Sequence, residues 1–263
     1  MTSAGSRSTA SAALRLDLAL VARGLVPTRA RARDAVLRGH VSVNGARADR
    51  PAMLVPPMAT LAIDDPASGY VSRGALKLIA GLDHFGYDAT DRNALDLGAS
   101  TGGFTEVLIA RGARHVVAID VGHDQLDRRL AANPRVTARD KVNARDITAA
   151  DIREPIGAVV ADLSFISLKV ALPAALTLAA PVAWGLFLVK PQFEVGRADV
   201  GKGGIVRDEA ARVRALTEVR DAAVALGYEA RGDTVSPITG GKGNVEFFLY
   251  LRAPGSRSDD RQD

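Results

Sequence analysis

Two lysines and two carboxylates stand at sequence positions from which they could work together in acid–base chemistry. Lys190 follows the apolar run GLFLV, Asp162 follows AVVA, Glu246 precedes FFLYL, and Lys77 lies in the helical pattern SRGALKL. Charged groups beside buried strands need partners of opposite sign, so we expect the four to share one cleft. Taken singly, each could instead be a helix cap, a strand-end cation, an edge residue or an exposed helix residue.

The elements that would position these residues alternate along residues 93–165. Apolar runs NALDLG, HVVAID and PIGAVVADLSF are separated by helical patterns. Such alternation predicts a doubly wound α/β sheet of parallel strands, with ligands at the carboxyl ends of the strands. The first run ends in a glycine-rich turn between Asp96 and Phe104, and the second ends in Asp120, an acid placed to accept hydrogen bonds from ribose. The turn has neither the dinucleotide fingerprint nor the ending of a phosphate-binding loop.

The string D-L-G-A-S-T-G-G-F that begins at Asp96 resembles the S-adenosylmethionine-binding motif of the FtsJ-like methyltransferases. The resemblance implies a class I, Rossmann-like methyltransferase fold with S-adenosylmethionine as the cofactor. Asp146 would then meet the adenine edge, although it could equally cap a helix begun at Thr148. The cofactor contacts implied are Asp96, Gly98, Ala99, Ser100, Thr101, Gly102, Gly103, Phe104, Asp120, Asp146 and Asp162.

The chain order Lys77, Asp162, Lys190, Glu246 also resembles the catalytic tetrad of the FtsJ-like 2'-O-methyltransferases. By this resemblance Lys190 acts on a ribose hydroxyl, either as general base or as the cation that stabilises the developing alkoxide. Lys77 would oppose protonation of Lys190, and the two carboxylates would orient the lysines. Other acceptors fit less well. Cytosine C5 methylation usually needs a cysteine, which the chain lacks, and the turn after Asp162 has no prolines of the kind that amine methylation uses.

The excess positive charge of the chain lies in residues 14–63, which carry eight arginines against three aspartates. Apolar spacing predicts a short first helix, a second helix over residues 29–38 capped by Thr28, and a hairpin that turns at Asn44-Gly45. A basic surface on such a helix pair suits phosphate contacts along folded RNA, where backbone charge and shape dominate recognition. Charge alone is equally compatible with a solvated basic helix.

The residue order in this segment resembles the alpha-L RNA-binding domain, a ribosomal S-four-like module. The resemblance rests on Arg15-Leu16-Asp17, Thr28-Arg29, Gly39 to Gly45 and Arg50-Pro51. We therefore expect a small α+β RNA-binding domain over 14–63, a linker over 64–72 and the methyltransferase domain over 73–252, with disordered tails at 1–13 and 253–263. The expected RNA contacts are Arg15, Arg29, Arg31, Arg33, Arg38, Asn44 and Arg50.

Three further strings extend the likeness to most of the chain: Tyr70 to Gly74, Val189 to Glu194 and Ser236 to Asn244. With them the sequence resembles the TlyA family, which is described as ribosomal RNA cytidine 2'-O-methyltransferases and historically as hemolysins. The resemblance implies ribosomal RNA of the small subunit, the large subunit or both as the substrate. We expect a monomeric, cytoplasmic protein without a metal ion, whose glycine-rich loop 196–204 closes over RNA or cofactor.

Two alternatives remain open. The uncharged stretch between Lys169 and Lys190 is long enough to span a bilayer, which together with the family's older name allows a membrane-active hemolysin. Its prolines favour two soluble elements instead, a helix opened by Pro173 and, after Pro181, a buried strand AWGLFLV; we expect no stable membrane insertion. The other alternative is an RNA-binding ribosome assembly factor whose cofactor site has decayed.

Overall fold

The computed structural model of the chain describes residues 13–152 and 154–254. These residues form two compact units, one that ends at Gly69 and one that begins at Tyr70. The disordered tails predicted at 1–13 and 253–263 lie outside the described residues, apart from positions 13, 253 and 254.

In its described residues, the first unit is a small α+β domain with two α-helices and two antiparallel sheets. One sheet pairs its first and fourth strands, and the other places its second strand between the third and fifth. The Thr28 side chain accepts the N–H of Arg31 at the start of the second helix, and Asn44 and Gly45 both adopt positive φ in the hairpin turn, as predicted. The elements are β1 (Leu14–Arg15), α1 (Leu16–Ala22), α2 (Arg29–Leu37), β2 (Val41–Val43), β3 (Ala46–Arg47), β4 (Leu54–Val55) and β5 (Leu61–Ile63).

The second unit is an α/β domain built on one seven-stranded sheet, which confirms the predicted fold class. Its helices are α3 (Gly74–Phe85), α4 (Gly103–Ala110), α5 (Arg128–Ala131), α6 (Leu168–Leu178), α7 (Pro191–Glu194) and α8 (Glu209–Ala225). Its strands are β6 (Asn93–Leu97), β7 (His115–Asp120), β8 (Val136–Asp140), β9 (Ile156–Ala161), β10 (Ala179–Val189), β11 (Glu229–Val235) and β12 (Phe247–Arg252).

The order of the strands indicates where a ligand would bind on the sheet. The order is β11-β12-β10-β9-β6-β7-β8, with β12 antiparallel to both of its neighbours and the pairs from β10 to β8 parallel. The chain runs outward from β6 through β7 to β8 and then returns to β9 on the other side. Doubly wound sheets bind ligands at such a switch point, outside the carboxyl ends of the strands.

Apolar side chains fill both faces of this sheet. Helices α3 and α4 pack on one face, where Leu78, Leu82 and Leu108 are fully buried. Helices α6 and α8 pack on the other face, where Leu168 and Val219 are buried against the strands. The central strands β6, β9 and β10 are therefore buried on both sides, which explains their nearly continuous apolar sequences.

The uncharged stretch after Lys169 folds as a helix and a strand, as predicted, but its prolines lie elsewhere than expected. Helix α6 begins under the cap of Ser167, and Pro173 lies inside it, where it removes one helical hydrogen bond. Strand β10 already contains Pro181, at a shift in its pairing with β9 where an N–H is not needed. Among the described residues, no helix is both long and apolar enough to cross a bilayer.

Two smaller expectations are corrected by the structure. The helix predicted from Thr148 is wrong: the chain turns there, because Asp151 accepts both the N–H and the hydroxyl of Thr148. The linker predicted over 64–72 is shorter. The N–H of Val71 donates to Glu106 in α4 at 2.7 Å, so the chain already packs within the second unit from Tyr70 onward.

Candidate active site

A cavity of about 530 Å³ lies at the carboxyl ends of the central strands, and all four residues of the predicted tetrad line it. Asp162 follows β9 and Lys190 follows β10, and because these strands are parallel, both residues reach the same edge of the sheet. Glu246 precedes β12, whose antiparallel direction brings its start to that edge. Lys77 comes from the first turn of α3. The structure therefore brings together residues that are far apart in the sequence.

Lys77 and Glu246 form the deeper ion pair of the cavity. Lys77 Nζ donates to Glu246 Oε2 at 2.5 Å, and only 6% and 2% of their side chains are exposed. The alternative of an exposed helix position for Lys77 is therefore wrong. A charge that is removed from water at this depth requires its partner, so each residue fixes the other.

Lys190 and Asp162 form the more open ion pair. Lys190 Nζ lies 2.6 Å from Asp162 Oδ1 and donates to the hydroxyl of Ser164 at 2.9 Å. The side chain of Asp162 is 23% exposed, against 2% for Glu246. Of the two lysines, Lys190 is therefore the one that a hydroxyl group of a bound substrate can reach. The sequence reasoning did not assign Ser164, whose only signal was its place two residues after Asp162.

The glycine-rich turn after β6 brings the backbone close to the cavity. Gly98 has a φ of +80°, and a Cβ atom there would lie 2.8 Å from the carbonyl oxygen of Asp162. Only glycine fits this combination of positive φ and close approach. The turn residues that line the cavity are Gly98, Ala99, Ser100, Thr101, Gly103 and Phe104.

Asp120 lies where a ribose could bind, at the end of β7 beside the glycine-rich turn. Its Oδ2 accepts the N–H of Ser100 at 2.8 Å, and its Oδ1 accepts the N–H of Gly122 at 2.7 Å. A carboxylate offers about four lone-pair positions, so roughly two remain for the hydroxyls of a ribose. The carboxylate is therefore held rigidly with acceptor capacity to spare.

A second cavity of about 290 Å³ adjoins the first, since Gly98, Ser100 and Asp162 line both. Its other walls carry several apolar side chains, among them Ile119 and Val142. An apolar wall with a few placed polar groups suits a purine. This arrangement fits S-adenosylmethionine. Asp120 offers a rigid acceptor, the glycine-rich turn lets the backbone approach a ligand closely, and the two cavities are joined.

Asp96, which the sequence assigned to the cofactor, lies beneath the glycine-rich turn and does not line either cavity. It is fully buried, its Oδ2 accepts the hydroxyl of Thr105 at 2.6 Å, and its Oδ1 has no hydrogen-bond partner. Burial, with a smaller contribution from the charge of Asp162, raises the pKa of Asp96 to about 7. Asp96 therefore supports the turn from below.

Asp146 and Gly102 are also absent from the lining of both cavities. Residues 144–146 form a 3₁₀ turn, in which successive side chains point to different sides. Ala144 faces the smaller cavity, whereas the side chain of Asp146 is 64% exposed and pairs with Arg145. The expected contact of Asp146 with adenine does not fit this geometry. Gly102 instead ends the turn at the start of α4, with a φ of +97°.

Glu194, also missed by the sequence reasoning, fixes the segment that follows Lys190. Its carboxylate accepts the N–H of Leu168 at 2.8 Å and the hydroxyl of Ser167 at 2.5 Å, at the start of α6. Burial raises the pKa of Glu194 above its ordinary value. The short helix α7 is thereby tied to α6, which holds Lys190 in place at the end of β10.

An aromatic pair stands at the rim of the cavity. Phe165 is 91% exposed with a φ of +66°, and its ring centroid lies 5.2 Å from that of Phe193. Both residues line the cavity. A large exposed ring held in a left-handed backbone conformation is unusual for a residue with no partner to bind.

In the first unit, Asp17 organises two of the expected RNA-binding arginines. Its fully buried carboxylate accepts Arg15 through both Nε and Nη2 at 3.0 Å, and Arg29 Nε at 2.9 Å. The hydrogen bond from Arg15, followed by that from Arg29, lowers the pKa of Asp17 to about 2. The side chains of Arg15 and Arg29 remain 38% and 56% exposed, so their outer N–H groups still face solvent.

The other expected RNA contacts divide into two groups. Arg38 is 17% exposed and pairs with both Asp34 and Asp65, so its guanidinium is already used inside the unit and does not support the expected phosphate contact. Asn44 likewise accepts the N–H of Thr60 at 2.8 Å. Arg33 and Arg50 are exposed, and Arg31 donates to the carbonyl of Ala67.

Comparison with known proteins adds family relationships to this geometry. The family profile for FtsJ-like methyltransferases matches residues 70–253, and that for the S4 domain matches residues 14–61. The chain is 45% identical over 245 residues to the 16S/23S rRNA (cytidine-2'-O)-methyltransferase TlyA of Mycobacterium tuberculosis, covering 93% of this chain and 91% of that protein. It is 41% identical to the candidate rRNA methyltransferase YqxC of Bacillus subtilis, covering 94% and 89%.

A solved structure is similar over nearly the same length. The structure of a candidate hemolysin from Streptococcus thermophilus superposes with a TM-score of 0.74 at 37% sequence identity. The similarity covers 93% of this chain and 90% of that one.

Proposed function

The chain belongs to the FtsJ-like methyltransferase family, and we propose that it methylates the ribose 2'-hydroxyl of a cytidine in ribosomal RNA. It is an S-adenosylmethionine-dependent methyltransferase that carries an S4 domain. One observation carries the choice of a hydroxyl acceptor. Lys77, Asp162, Lys190 and Glu246 meet as two ion pairs in one cavity beside the glycine-rich turn.

The residues that would hold the cofactor are those whose geometry leaves room and hydrogen-bonding capacity for it. The turn from Gly98 to Phe104 gives close backbone approach, Asp120 keeps acceptor positions for ribose hydroxyls, and the smaller cavity offers apolar walls for adenine. S-adenosylmethionine supplies an activated methyl group, so the protein has only to position the acceptor hydroxyl and assist the loss of its proton.

The four charged side chains have different roles in this proposal. Lys190 contacts the acceptor hydroxyl, where it acts as the base or stabilises the negative charge that develops on the oxygen. Asp162 and Ser164 orient its amine through contacts at 2.6 and 2.9 Å. Lys77 and Glu246 neutralise one another behind them and keep the wall of the cavity rigid.

RNA is the acceptor that best suits the rest of the chain. The S4 domain presents half-exposed arginines, which suit phosphate contacts. The Phe165 and Phe193 rings at the rim offer a surface on which an unpaired base can stack. The relatives named as rRNA methyltransferases support ribosomal RNA, and we propose that the protein acts on it as a monomer in the cytoplasm.

A membrane-active function remains the second candidate, because a relative 36% identical to this chain over 239 residues is named Hemolysin A, from Brachyspira hyodysenteriae. The apolar stretch that suggested a membrane span forms α6 and β10, whose apolar side chains pack within the second unit. The stretch is thus already used in a soluble fold.

The test is methyl transfer to small and large ribosomal subunits from a strain that lacks the modification, with mapping of 2'-O-methylated nucleotides. We expect Lys190→Ala to lower the rate by on the order of 10³-fold, as for the loss of a group that acts on the reacting proton. Lys169→Ala is the matched control, because Lys169 pairs with Glu218 away from the cavity. The control should retain the wild-type rate.

Two results would overturn the proposal. One is methyl transfer by Lys190→Ala at a rate close to that of the wild type. The affinity of both proteins for the cofactor is measured by calorimetry in the same experiment. The other is the absence of transfer to ribosomal RNA together with leakage of liposomes by the wild type and by Lys190→Ala alike, which would favour the membrane-active function.

A further inference from the structure

Two loops that are distant in the sequence lie side by side along the cavity. The first comprises residues 196–206 and the second residues 236–245; we call them the paired loops. Val200 and Gly204 of the first loop line the cavity, as do Gly240 and Lys242 of the second. The residue that joins the two loops, Asn244, has no role in the proposed chemistry.

The side chain of Asn244 connects the loops through two hydrogen bonds. Its Oδ1 accepts the N–H of Val206 at 2.9 Å, and its Nδ2 donates to the carbonyl oxygen of Gly204 at 2.8 Å. The residue is only 3% exposed. A buried amide that uses both of its ends on another segment holds that segment in one position, because losing either bond leaves a backbone group unpaired.

Each loop is also closed on itself, so the amide joins two rigid pieces. In the first loop the N–H of Gly201 bonds to the carbonyl of Ile205. In the second, the N–H of Gly240 bonds to the carbonyl of Asn244 at 2.9 Å. The sequence suggested a loop over 196–204 that closes over RNA or cofactor, and the structure shows this loop attached to its neighbour.

The second loop leads directly into the catalytic residues. Glu246 follows Asn244 by two positions, and its backbone carbonyl accepts the N–H of Ser236 at 2.9 Å. A Cβ atom at Gly240 would collide with the carboxylate of Glu246. A shift of the second loop is therefore transmitted to the wall that holds Lys77.

The paired loops border one half of the site only. Residues of the paired loops line the larger cavity together with Lys77 and Lys190, whereas none of them lines the smaller cavity beside Asp120. The paired loops therefore border the side from which the acceptor nucleotide approaches, away from the smaller cavity that suits the adenosine of the cofactor.

We propose that Asn244 is a positioning residue that fixes the paired loops as one wall against the acceptor nucleotide. The inference rests on the proposed function, because it assigns the wall to the RNA side of the same site. Affinity for RNA comes mainly from phosphate contacts outside the cavity, so a loosened wall should lower the rate of transfer more than the binding of RNA.

The experiment compares Asn244→Ala and Asn244→Asp with the wild type in the full chain. Asn244→Asp keeps an acceptor for Val206 and loses the donor to Gly204. We expect kcat for methyl transfer to fall by about tenfold in the alanine variant, with a smaller fall in the aspartate variant. The KM for RNA and the affinity for S-adenosylhomocysteine should change less than about threefold.

Limited trypsin digestion, with cleavage sites identified by mass spectrometry, reads the loop directly. Lys202 is exposed in the first loop, and its cleavage should be several-fold faster in Asn244→Ala. Asn133→Ala is the matched control, since Asn133 also accepts a backbone N–H, that of Arg135, away from the cavities. It should change neither cleavage at Lys202 nor kcat.

Three outcomes overturn the inference: equal cleavage at Lys202 in the alanine variant and the wild type, faster cleavage with unchanged kcat, or a loss of cofactor affinity as large as the loss of kcat. If the wild type itself transfers no methyl group to ribosomal RNA, the proposed function fails. The digestion then still decides whether Asn244 joins the loops.

Discussion

The Asp17 cluster of the first unit and the cavity tetrad of the second are both sets of paired charges, but they are built differently. Asp17 pairs with Arg15 and Arg29, close by in the sequence, and the arginines remain about half exposed. The tetrad joins Lys77 to Glu246, 169 positions apart, almost out of contact with solvent. Local charge pairs leave part of each guanidinium free to contact a polyanion, whereas pairs assembled by the fold place charges in the wall of a cavity.

A count of arginines therefore overestimates the RNA-binding surface of the first unit. Arg38 was expected to contact phosphate, yet two carboxylates enclose it. Arg15 and Arg29 share one carboxylate and keep free N–H groups. The arginines that can contribute most to RNA binding are thus those whose anchoring leaves part of the guanidinium in water.

The largest loss of stability should come from Glu246→Gln, which leaves Lys77 buried without its counter-charge. We expect the free energy of unfolding to fall by about 3–5 kcal/mol, as when one partner of a buried ion pair is removed. Urea unfolding followed by the fluorescence of Trp184, the single tryptophan, which is buried in this unit, measures it.

Glu218→Gln is the control for that variant. It breaks the ion pair with Lys169. The side chains of Glu218 and Lys169 are 54% and 31% exposed, so the expected loss of stability is about 0–1 kcal/mol. Equal losses in the two variants would mean that the cavity pair is no more dependent on its partner than a surface pair.

A smaller, pH-dependent effect should appear in Asp96→Asn. The pKa of Asp96 is raised from 3.8 to about 7 by burial, so the folded protein keeps a proton that the unfolded chain releases. Wild-type stability from this group is present below pH 4 and is lost as the pH rises toward 7. The asparagine variant should gain relative to the wild type by roughly 2.5 kcal/mol more at pH 8 than at pH 5.

Unfolding in urea at the two pH values, again followed through Trp184, gives this difference. A gap between variant and wild type that is the same at pH 5 and pH 8 would show that water reaches Asp96 beneath the glycine-rich turn. The contrast between a closed cavity wall and an open surface cluster would then be weaker than the static structure indicates.

The smallest effect concerns Asp17, whose pKa is lowered to about 2 chiefly by the hydrogen bond from Arg15. Its contribution to the stability of the first unit is present above pH 4 and is lost as the pH falls toward 2. Asp17→Asn should cost about 1–2 kcal/mol at pH 6, near the lower end of the range for hydrogen bonds to charged groups, because the two arginine partners are about half exposed.

The first unit has no tryptophan, so NMR signals of its amides during urea unfolding are the suitable measurement. Asp49→Asn is the control, because Asp49 is 87% exposed and lies 3.8 Å from Arg50. If the two variants unfolded at the same urea concentration, Asp17 would be no more than a surface charge.

Much of the second unit could be predicted from its sequence, because buried parallel strands are nearly continuous apolar runs and glycine-rich turns follow them at fixed places. Three of the tetrad residues were identified from their positions at strand ends, and Lys77, in α3, was identified from the resemblance to the FtsJ-like tetrad. Predictions were poorer for short irregular segments, namely the turn after Thr148 and the side of the 3₁₀ turn on which Asp146 lies. There, one or two local hydrogen bonds decide the conformation, and the periodicity of side chains carries no information about them.

The apolar runs, the glycine-rich turn and the charged residues beside the strands were enough to predict the architecture and the family. The folded chain was needed to show which lysine pairs with which carboxylate, that Asp96 lies beneath the turn and lines neither cavity, and that Asn244 connects two loops. These features could not be predicted because burial and pairing depend on neighbours from distant parts of the chain. Those neighbours meet only once the sheet has formed.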